Sequence, residues 1–320
     1  MTAYATDTLD LSRIQVADII PALSYDDLRA RFVTAFLTYW NALRARDTSL
    51  PEYTVDMLES DPAVVVGEAA AFVRTLERGA FDDRVRQLLL ISSTGPALDL
   101  IGTTYYGVPR LIIPAVPATF TPEIRESDAR YKLRLQLAPE AGLPRGKVRA
   151  RLGAAKTLGG YIFHALSYDL RIAAADAASL DRGNVTVAIL AEDGEDPDVV
   201  TASARSWLAR DDVKGATDIL VVRPATVLTV DVAATLYALN GPDGGVLTAA
   251  AETAYRGFVT GRGPFRAPLY SKAIDAALQV PGIETLNRSQ PPGDVLSPFG
   301  TVIKPGTVTL DVQRVGPAYG

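Results

Sequence analysis

Few residues of this 320-residue chain have the type and spacing that chemistry needs. His164 is the only histidine. A Ser–His–Asp triad would have to recruit it, but no GxSxG elbow is present, and His164 follows the apolar run Tyr161-Ile162-Phe163. That setting predicts a half-buried structural histidine. Zinc sites built on histidine need two or three nitrogen or sulfur ligands. The chain has no cysteine, which excludes disulfides, thiol catalysis and Cys-ligated metals. Glu192, Asp193, Glu195, Asp196 and Asp198 form an acidic cluster that a Ca²⁺ loop or a glycosidase pair could use. It lacks the Asp-x-Asp-x-Asp-Gly spacing and the distal bidentate Glu, and it precedes a predicted helix, whose positive N-terminus attracts carboxylates. A solvated loop and helix cap is the expectation. AGLPRGKV, Ala141 to Val148, imitates a phosphate loop with Ala where the first Gly belongs and Val where Mg²⁺ needs a hydroxyl. In Gly261-Arg262-Gly263-Pro264 the proline removes an amide that would face phosphate. Both read as ordinary turns. Asp82 and Asp83 beside Arg84 and Arg86 predict surface pairs worth well under ~1 kcal/mol. The sequence therefore predicts no enzyme: no catalytic residue, no cofactor and no metal.

Composition points the same way. A chain this long with 48% hydrophobic residues has material for two or three domains with substantial cores. A net charge of −5 argues against general nucleic-acid binding, which needs a basic face. No apolar run reaches membrane-spanning length, because Arg223 and Asp231 break the richest one, Ile219 to Leu239. The start, MTAYATDTLDLSR, lacks the basic and apolar regions of a signal peptide, so a soluble product folded in a reducing cytoplasm is expected.

The elements left to position any function are amphipathic. Residues 1–23 read as an extended N-terminal arm. Residues 24–108 read as a helical, bundle-forming domain. Ser24 with Asp27 makes an acidic capping-box variant, after which Leu28, Phe32, Ala35, Phe36, Tyr39, Trp40 and Leu43 share one face until Pro51. Asp61 caps a second helix with Pro62 in its first position. Its apolar stripe runs Val65, Ala69, Phe72, Val73, Leu76, Ala80, Val85, Leu88, Leu89, with a phase slip near Gly79. Roughly thirty residues would make a rod of about 45 Å, too long to bury its whole stripe in a small domain. A Gly-Pro break and a short helix ending on Gly107 follow. The two helices can pair as a hairpin. Phe32, Phe36, Tyr39 and Trp40 fit either that internal core or a subunit interface; a mixture is expected, one side closing the hairpin and the rest docking on a neighbour. With Phe72, Leu76, Leu88 and Leu89 they are the candidate partner-interface residues.

Residues 109–180 read as a linker and a mixed middle domain. Pro109, Pro114, Pro117 and Pro122 make a linker with some strand character. Helices are predicted from Ala129 to about Ala138 behind Ser127-Asp128, and from Pro144 to Thr157, the latter closed by Gly159-Gly160. Residues 181–320 read as an α+β domain. Its predicted strands are Val185–Ala191, Thr217–Arg223, Thr226–Leu239, Gly282–Asn287 and Thr307–Gln313; its helices are Pro197–Arg210, Ala249–Val259 and Tyr270–Leu278, with Asn240–Gly245 a turn. Along the long strand Leu228, Val230, Val232 and Ala234 share one face, and Val227, Thr229, Asp231 and Ala233 the other. This rhythm predicts an α+β sandwich, ferredoxin-like in spirit.

Several of these words together resemble the baseplate J-like family of contractile phage tails and related injection devices. They are Asp61-Pro62 with its charged helix, Leu98-Asp99-Leu100-Ile101-Gly102, Gly107-Val108-Pro109-Arg110, then Asp128, Arg130-Tyr131 and Leu133-Arg134-Leu135. Ser271, Ala273-Ile274, Val280-Pro281-Gly282-Ile283 and Pro305-Gly306-Thr307-Val308-Thr309 continue the match, which covers most of residues 50–315. The resemblance implies a structural wedge subunit of a tail baseplate, in a virion or phage-like particle assembled in the bacterial cytoplasm. It implies two copies per wedge and wedges closing a ring around a hub. It implies N-terminal helices bundled with those of a second wedge protein, α+β domains touching neighbouring copies, and a small lysozyme-like-fold wedge protein linking to the sheath. No nucleic-acid partner and no membrane insertion are implied. Ring widening on receptor contact would trigger sheath contraction. The alternatives are a baseplate-associated cell-wall hydrolase, a small-ligand-binding regulatory module on the α+β part, and a receptor-binding fibre component, whose fibrous repeats are absent.

Overall fold

The computed structural model describes residues 2–3, 23–53, 61–114, 122–141, 157–181, 183–239, 241 and 243–315. The loop word at 141–148 and the helix predicted over 144–157 lie almost wholly outside these residues. The chain forms two compact units, Leu9–Thr103 and Thr104–Gly320 together with Met1–Thr8.

In the first unit, α1 (Tyr25–Arg44) starts at the expected capping box: the Asp27 N–H donates to Ser24 Oγ, and Ser24 N–H donates to the Asp27 carboxylate. The second helix, α2 (Pro62–Arg86), has Asp61 accepting from the Ala63 N–H, with Pro62 where no donor is missed. It is 25 residues long, about 37 Å at the standard rise. It stops before Leu88 and Leu89, so these two lie in the turn that follows rather than on the rod. The tyrosine hydroxyl of Tyr53 also donates to Asp61 and, with the Ala63 N–H, holds that carboxyl below the usual carboxylate range. The face of α2 turned to α1 is narrow: Val64, Gly67 and Ala71 are its buried residues. A Cβ on Gly67 would run into the Phe32 ring, so the helices approach closely there because that residue has no side chain. Arg29 and Glu68 pair beside it at 2.9 Å. A short helix, α3 (Gly95–Ile101), and a wide π-type turn over Gly102–Tyr106 end at Gly107, φ +66°.

The larger unit begins with a two-residue ribbon in the proline segment: β2 (Ile112–Ile113) pairs antiparallel with β3 (Ile124–Arg125), the first strand of the chain, β1, being Thr2–Ala3. Helix α4 (Asp128–Leu137) starts at Ser127, whose hydroxyl accepts from the Arg130 N–H. Here the words at 107–110 and 126–135 meet. Glu126, buried, takes both Nε (2.7 Å) and Nη2 (2.6 Å) of Arg134, itself only 2% exposed. The Leu111 N–H donates to the same carboxylate at 3.1 Å. Arg134 also donates to the Pro109 carbonyl and Ser167 Oγ. Arg110 donates to the Glu126 carbonyl at 2.7 Å and pairs with Asp128 at 2.6 Å. Tyr131 donates to the Val108 carbonyl at 2.6 Å and lies under both Arg110 and Arg134. Arg130 donates to the carbonyls of Leu166, Asp169, Leu170 and Ile172, closing the end of α5 (Leu158–Tyr168). Burial lowers the Arg130 pKa, against the pull of Glu126.

Thr157 caps α5 through the Gly160 N–H, so Gly159-Gly160 open this helix instead of closing the one predicted before it. Behind α5 lies a strand that propensity does not reveal, the alanine-rich β4 (Ile172–Asp181), hairpinned to β5 (Asn184–Ala191). The division expected at 180/181 falls inside this hairpin, and the middle and C-terminal segments are one unit. β5 leads through α6 (Pro197–Leu208) to parallel β6 (Ile219–Pro224), giving the order β1-β4-β5-β6. Thus Thr2–Ala3 of the expected arm form an edge strand on β4; residues 4–22 lie outside the described residues.

A second sheet follows. β7 (Thr226–Ala238) runs on through α7 (Gly244–Thr260), α8 (Ser271–Leu278) and β8 (Thr285–Gln290) to β9 (Thr301–Arg314), in the order β8-β7-β9. The predicted alternation holds from Val230 onward: Val230, Val232, Ala234 and, beyond them, Leu236 are buried with Ala251, Tyr255, Ile274 and Leu278 of the two helices, whereas Leu228, expected on the same face, is 40% exposed. Asp243 caps α7, which therefore starts at Gly244, and β8 begins at Thr285 instead of Gly282. The α+β class is as expected, carried by two sheets. They are tied by Asp176 of β4, 2% exposed, which pairs with Arg266 at 2.7 Å and accepts from the Gly300 N–H at 3.2 Å. Any side chain at Gly300 would meet Arg223 and Ala188, and its φ is +69°.

Three measurements test this reading. Glu126→Ala leaves a buried guanidinium without its anion and is expected to cost about 3–5 kcal/mol in urea unfolding; a cost under ~1 kcal/mol would show the pair to be dispensable. Gly67→Ala should destabilise the hairpin with Phe32 present. On a Phe32→Ala background it should instead stabilise by roughly 1 kcal/mol, because alanine is the better helix former. Tyr161 donates to Asp218 at 2.7 Å and accepts from the Gly215 N–H at 3.0 Å; burial is the main cause that pushes its pKa from 10.0 to about 12. Its raised folded pKa contributes stability that is whole below pH 10 and is lost as pH climbs toward about 12. An alkaline absorbance titration should show late-ionising tyrosine absorbance that Tyr161→Phe lowers by one residue, leaving Tyr53 and Tyr255, whose pKa values are also raised.

Candidate functional site

The helical hairpin leaves one long apolar surface open. With Val64, Gly67 and Ala71 turned to α1, the opposite stripe of α2 faces out: Phe72 is 57% exposed and Leu76 58%, and Val65, Val66, Val73 and Phe81 are exposed as well. Positions 65, 69, 72 and 76 are separated by four, three and four residues, the seam spacing of a helix that packs along a second helix. Leu88 is 75% exposed beyond the end of the rod and Leu89 is half-buried.

The aromatic residues of α1 have different surroundings. Phe32 lies against Gly67. Phe36 and Trp40 gather around Tyr53 with ring centroids 5.0 and 5.4 Å away, and Trp40 Nε1 donates to the Pro51 carbonyl at 3.1 Å. The chain after α1 thus folds back over these two rings. Tyr39 takes no part and is 75% exposed. Val66 and Phe81 are exposed too but lie off the stripe; nine residues beyond Phe72, Phe81 is about half a helical rotation away from it. Gly67 is the signal that separates the faces, since a glycine amid helix formers marks the side of close approach.

Residues with chemical potential lie elsewhere and serve the fold. His164 is buried on α5, its ring edge-on to Phe163 at 5.6 Å. Of the acidic cluster, Asp196 caps α6 through the N–H groups of Asp198 and Val199, and Asp193 pairs with Lys304 at 2.5 Å. Gly261 caps the end of α7, and Arg262 lies over Phe258. Asp82 pairs with Arg86 at 2.6 Å on α2. Among the described residues no group of three or more His, Cys, Asp or Glu is placed to hold a metal ion. None of the described helices is long and apolar enough to cross a membrane. A cleft of about 320 Å³ lies between the β2–β3 ribbon, Arg130, Leu170-Arg171 and Glu192 with Glu195. Its most buried cation, Arg130, already spends its terminal nitrogens on four carbonyls, and its Nε lies 3.5 Å from the Glu126 carboxylate.

Comparison with known proteins bears on the surfaces rather than on the cleft. Residues 59–116 match the Baseplate J-like N-terminal domain. That segment holds α2, α3, the π-type turn and the Val108–Arg110 word that locks onto α4. Over 292 residues the chain is 27% identical to Baseplate protein J of Escherichia phage P2, covering 90% of this chain and 92% of that protein. A domain match on the exposed rod and a likeness that runs through both sheets make the chain similar to a phage baseplate protein of the baseplate J-like kind.

Proposed function

We propose that the chain is a structural wedge subunit of a contractile-tail baseplate, assembling through the open face of its helical hairpin. The likeness to a phage baseplate protein supports the coarse role, a structural part of the baseplate of a phage tail. The observation that carries the finer reading is the stripe Val65, Ala69, Phe72, Leu76 on a helix whose other side is already closed by α1. Several large apolar side chains exposed along one rod would be a solubility cost without a partner. A helix of a second wedge protein is the partner that the seam spacing fits, because ridges three and four apart interlock with another helix. Tyr39 and Leu88 extend that face; Phe32, Phe36, Trp40 and Leu89 support it from within or at its border. Contacts of the α+β unit with a neighbouring copy and with a small sheath-linking wedge protein belong to the same reading. So do residence in a particle assembled in the host cytoplasm, the absence of catalysis, and control of sheath contraction by ring opening.

Movement in such a ring would occur between rigid bodies, not within them. Pro109 and Arg110 are tied into the buried network around Glu126, so the stretch before Leu111 moves with α4. The hinge in this proposal falls outside that knot.

The test is mass measurement of the chain coexpressed with the neighbouring tail proteins. A stable hetero-complex containing two copies of this chain is expected. Phe72→Ser with Leu76→Ser should abolish it while moving the chain's own stability by only ~0.5 kcal/mol per site, as befits exposed positions. A hetero-complex that survives the double substitution would remove the α2 stripe from the interface, and a strict monomer that ignores every tail protein would defeat the wedge assignment.

A further inference from the structure

The second sheet ends in a strand edge that is open over its second half among the described residues. Edge strands are normally blunted by proline, by charge, or by a covering side chain. β6 follows that rule: it ends at Pro224, and the Arg205 guanidinium donates to the Val222 carbonyl at 2.7 Å. The outer edge of β9 is bridged near its start, where Phe265 meets Val302, and Lys304 with Pro305 follows there. From Thr307 to Arg314, TVTLDVQR, it has neither lysine nor proline, and its charges are Asp311 and Arg314.

Which backbone groups stand open follows from two hydrogen bonds. The Thr307 N–H donates to Asp231 on β7 at 2.7 Å, and the Val315 N–H donates to the Ala238 carbonyl at 3.0 Å. Odd-numbered residues therefore direct their amides toward β7. Val308, Leu310 and Val312 direct theirs outward, since successive residues of a strand alternate. The side chains of these three belong to the layer under α7 and α8 and are only partly buried, as expected where a sheet stops before its core does.

We propose that a second copy of this chain adds its own β9 to this edge, antiparallel, with the two-fold axis at Leu310. The sequence is self-complementary about that residue. Val308 falls opposite the partner's Val312, Thr309 opposite the partner's Asp311, and Thr307 opposite the partner's Gln313. The three outward residues of each copy then exchange about six backbone hydrogen bonds, and their side chains continue the apolar layer across the junction. Charge selects the register. Moving the axis to Asp311 sets two carboxylates face to face; moving it to Thr309 leaves Val312 opposite Gly306 and loses the apolar match. The contact uses the α+β unit alone; it gives a geometry to the neighbouring-copy contact of the reading above and rests on that part of it, not on the helix bundle.

The test exploits a chain without cysteine. In this register residues 309 and 311 form a non-hydrogen-bonded pair, about 4.5 Å between Cα atoms, within reach of a disulfide, whereas each residue is a diagonal ~7–8 Å from its own copy. Full-length Thr309→Cys and Asp311→Cys chains, both altered at exposed positions, are oxidised separately and as an equal mixture, with Ala249→Cys as a remote exposed control. The mixture should cross-link at least tenfold faster than either variant alone, with the 309–311 peptide pair identified by mass. Equal rates in all samples, no rate above the control, or fastest linkage in Asp311→Cys alone would overturn the proposal. So would linkage that requires coexpressed tail proteins. The α2 stripe is untouched in these variants, so the hetero-complex measurement succeeds or fails on its own.

Discussion

The larger unit depends on one buried charge pair. Glu126 and Arg134 are removed from water together, and the cost of stripping two ions is offset because each carboxylate oxygen and each guanidinium nitrogen has a hydrogen-bond partner. Those partners come from residues 108–111 and from α5. The carboxylate takes the Leu111 amide, the guanidinium takes the Pro109 carbonyl and Ser167, and Tyr131 beneath them reaches Val108. A geometry that ties both segments to α4 tolerates no sliding of any of the three. Neighbouring Arg130 extends the knot to the end of α5 and the start of β4. The chain between α3 and the first sheet is thereby fixed by polar specificity, in a stretch where the ribbon strands offer few buried apolar side chains.

A second knot has the same design at smaller scale. Asp176 reaches from β4 to the backbone and side chains that precede β9, and Arg266 adopts φ 54° to meet it. Left-handed backbone at a long side chain costs on the order of 1 kcal/mol; a bidentate pair to a buried carboxylate offsets that. The two sheets are joined by charge and by the short β6–β7 passage at Ala225, whose N–H donates to Ile189. Among the described residues Arg110, Arg130, Arg134 and Arg266 are spent in such ties.

Legibility from sequence divided along these lines. Elements governed by local rules were readable: the caps at Ser24, Asp61 and Ser127, and the alternation along β7. Hydrophobic period and side-chain oxygen suffice for those. β4 was not readable, because Ala-Ala-Ala-Asp-Ala-Ala favours helix and becomes strand only by pairing with β5. The Gly159-Gly160 pair misled for a related reason. Glycine marks helix ends on average, yet here the Thr157 cap makes the pair the first turn of a helix. The charge knots were invisible as interactions, although the words that compose them carried the resemblance. Arg110, Asp128, Tyr131 and Arg134 could be quoted in order, but not brought to one point.

The open surfaces acquire their meaning from these closed interiors. A residue such as Phe72 could be core or interface in any periodic reading, and only the position of Gly67 decides, by turning the narrow face of α2 to α1 and the broad one to solvent. The same logic governs β9, where two hydrogen bonds to β7 determine which amides remain. In both places the chain satisfies one side of an element completely and leaves the other incomplete. In the cleft Arg130 donates from both terminal nitrogens to four carbonyls, while Phe72 and Leu76 stand exposed along a rod and β9 ends its sheet in an edge. Exposed rods and strand edges are the kinds of surface that helices and strands complete in peptide recognition.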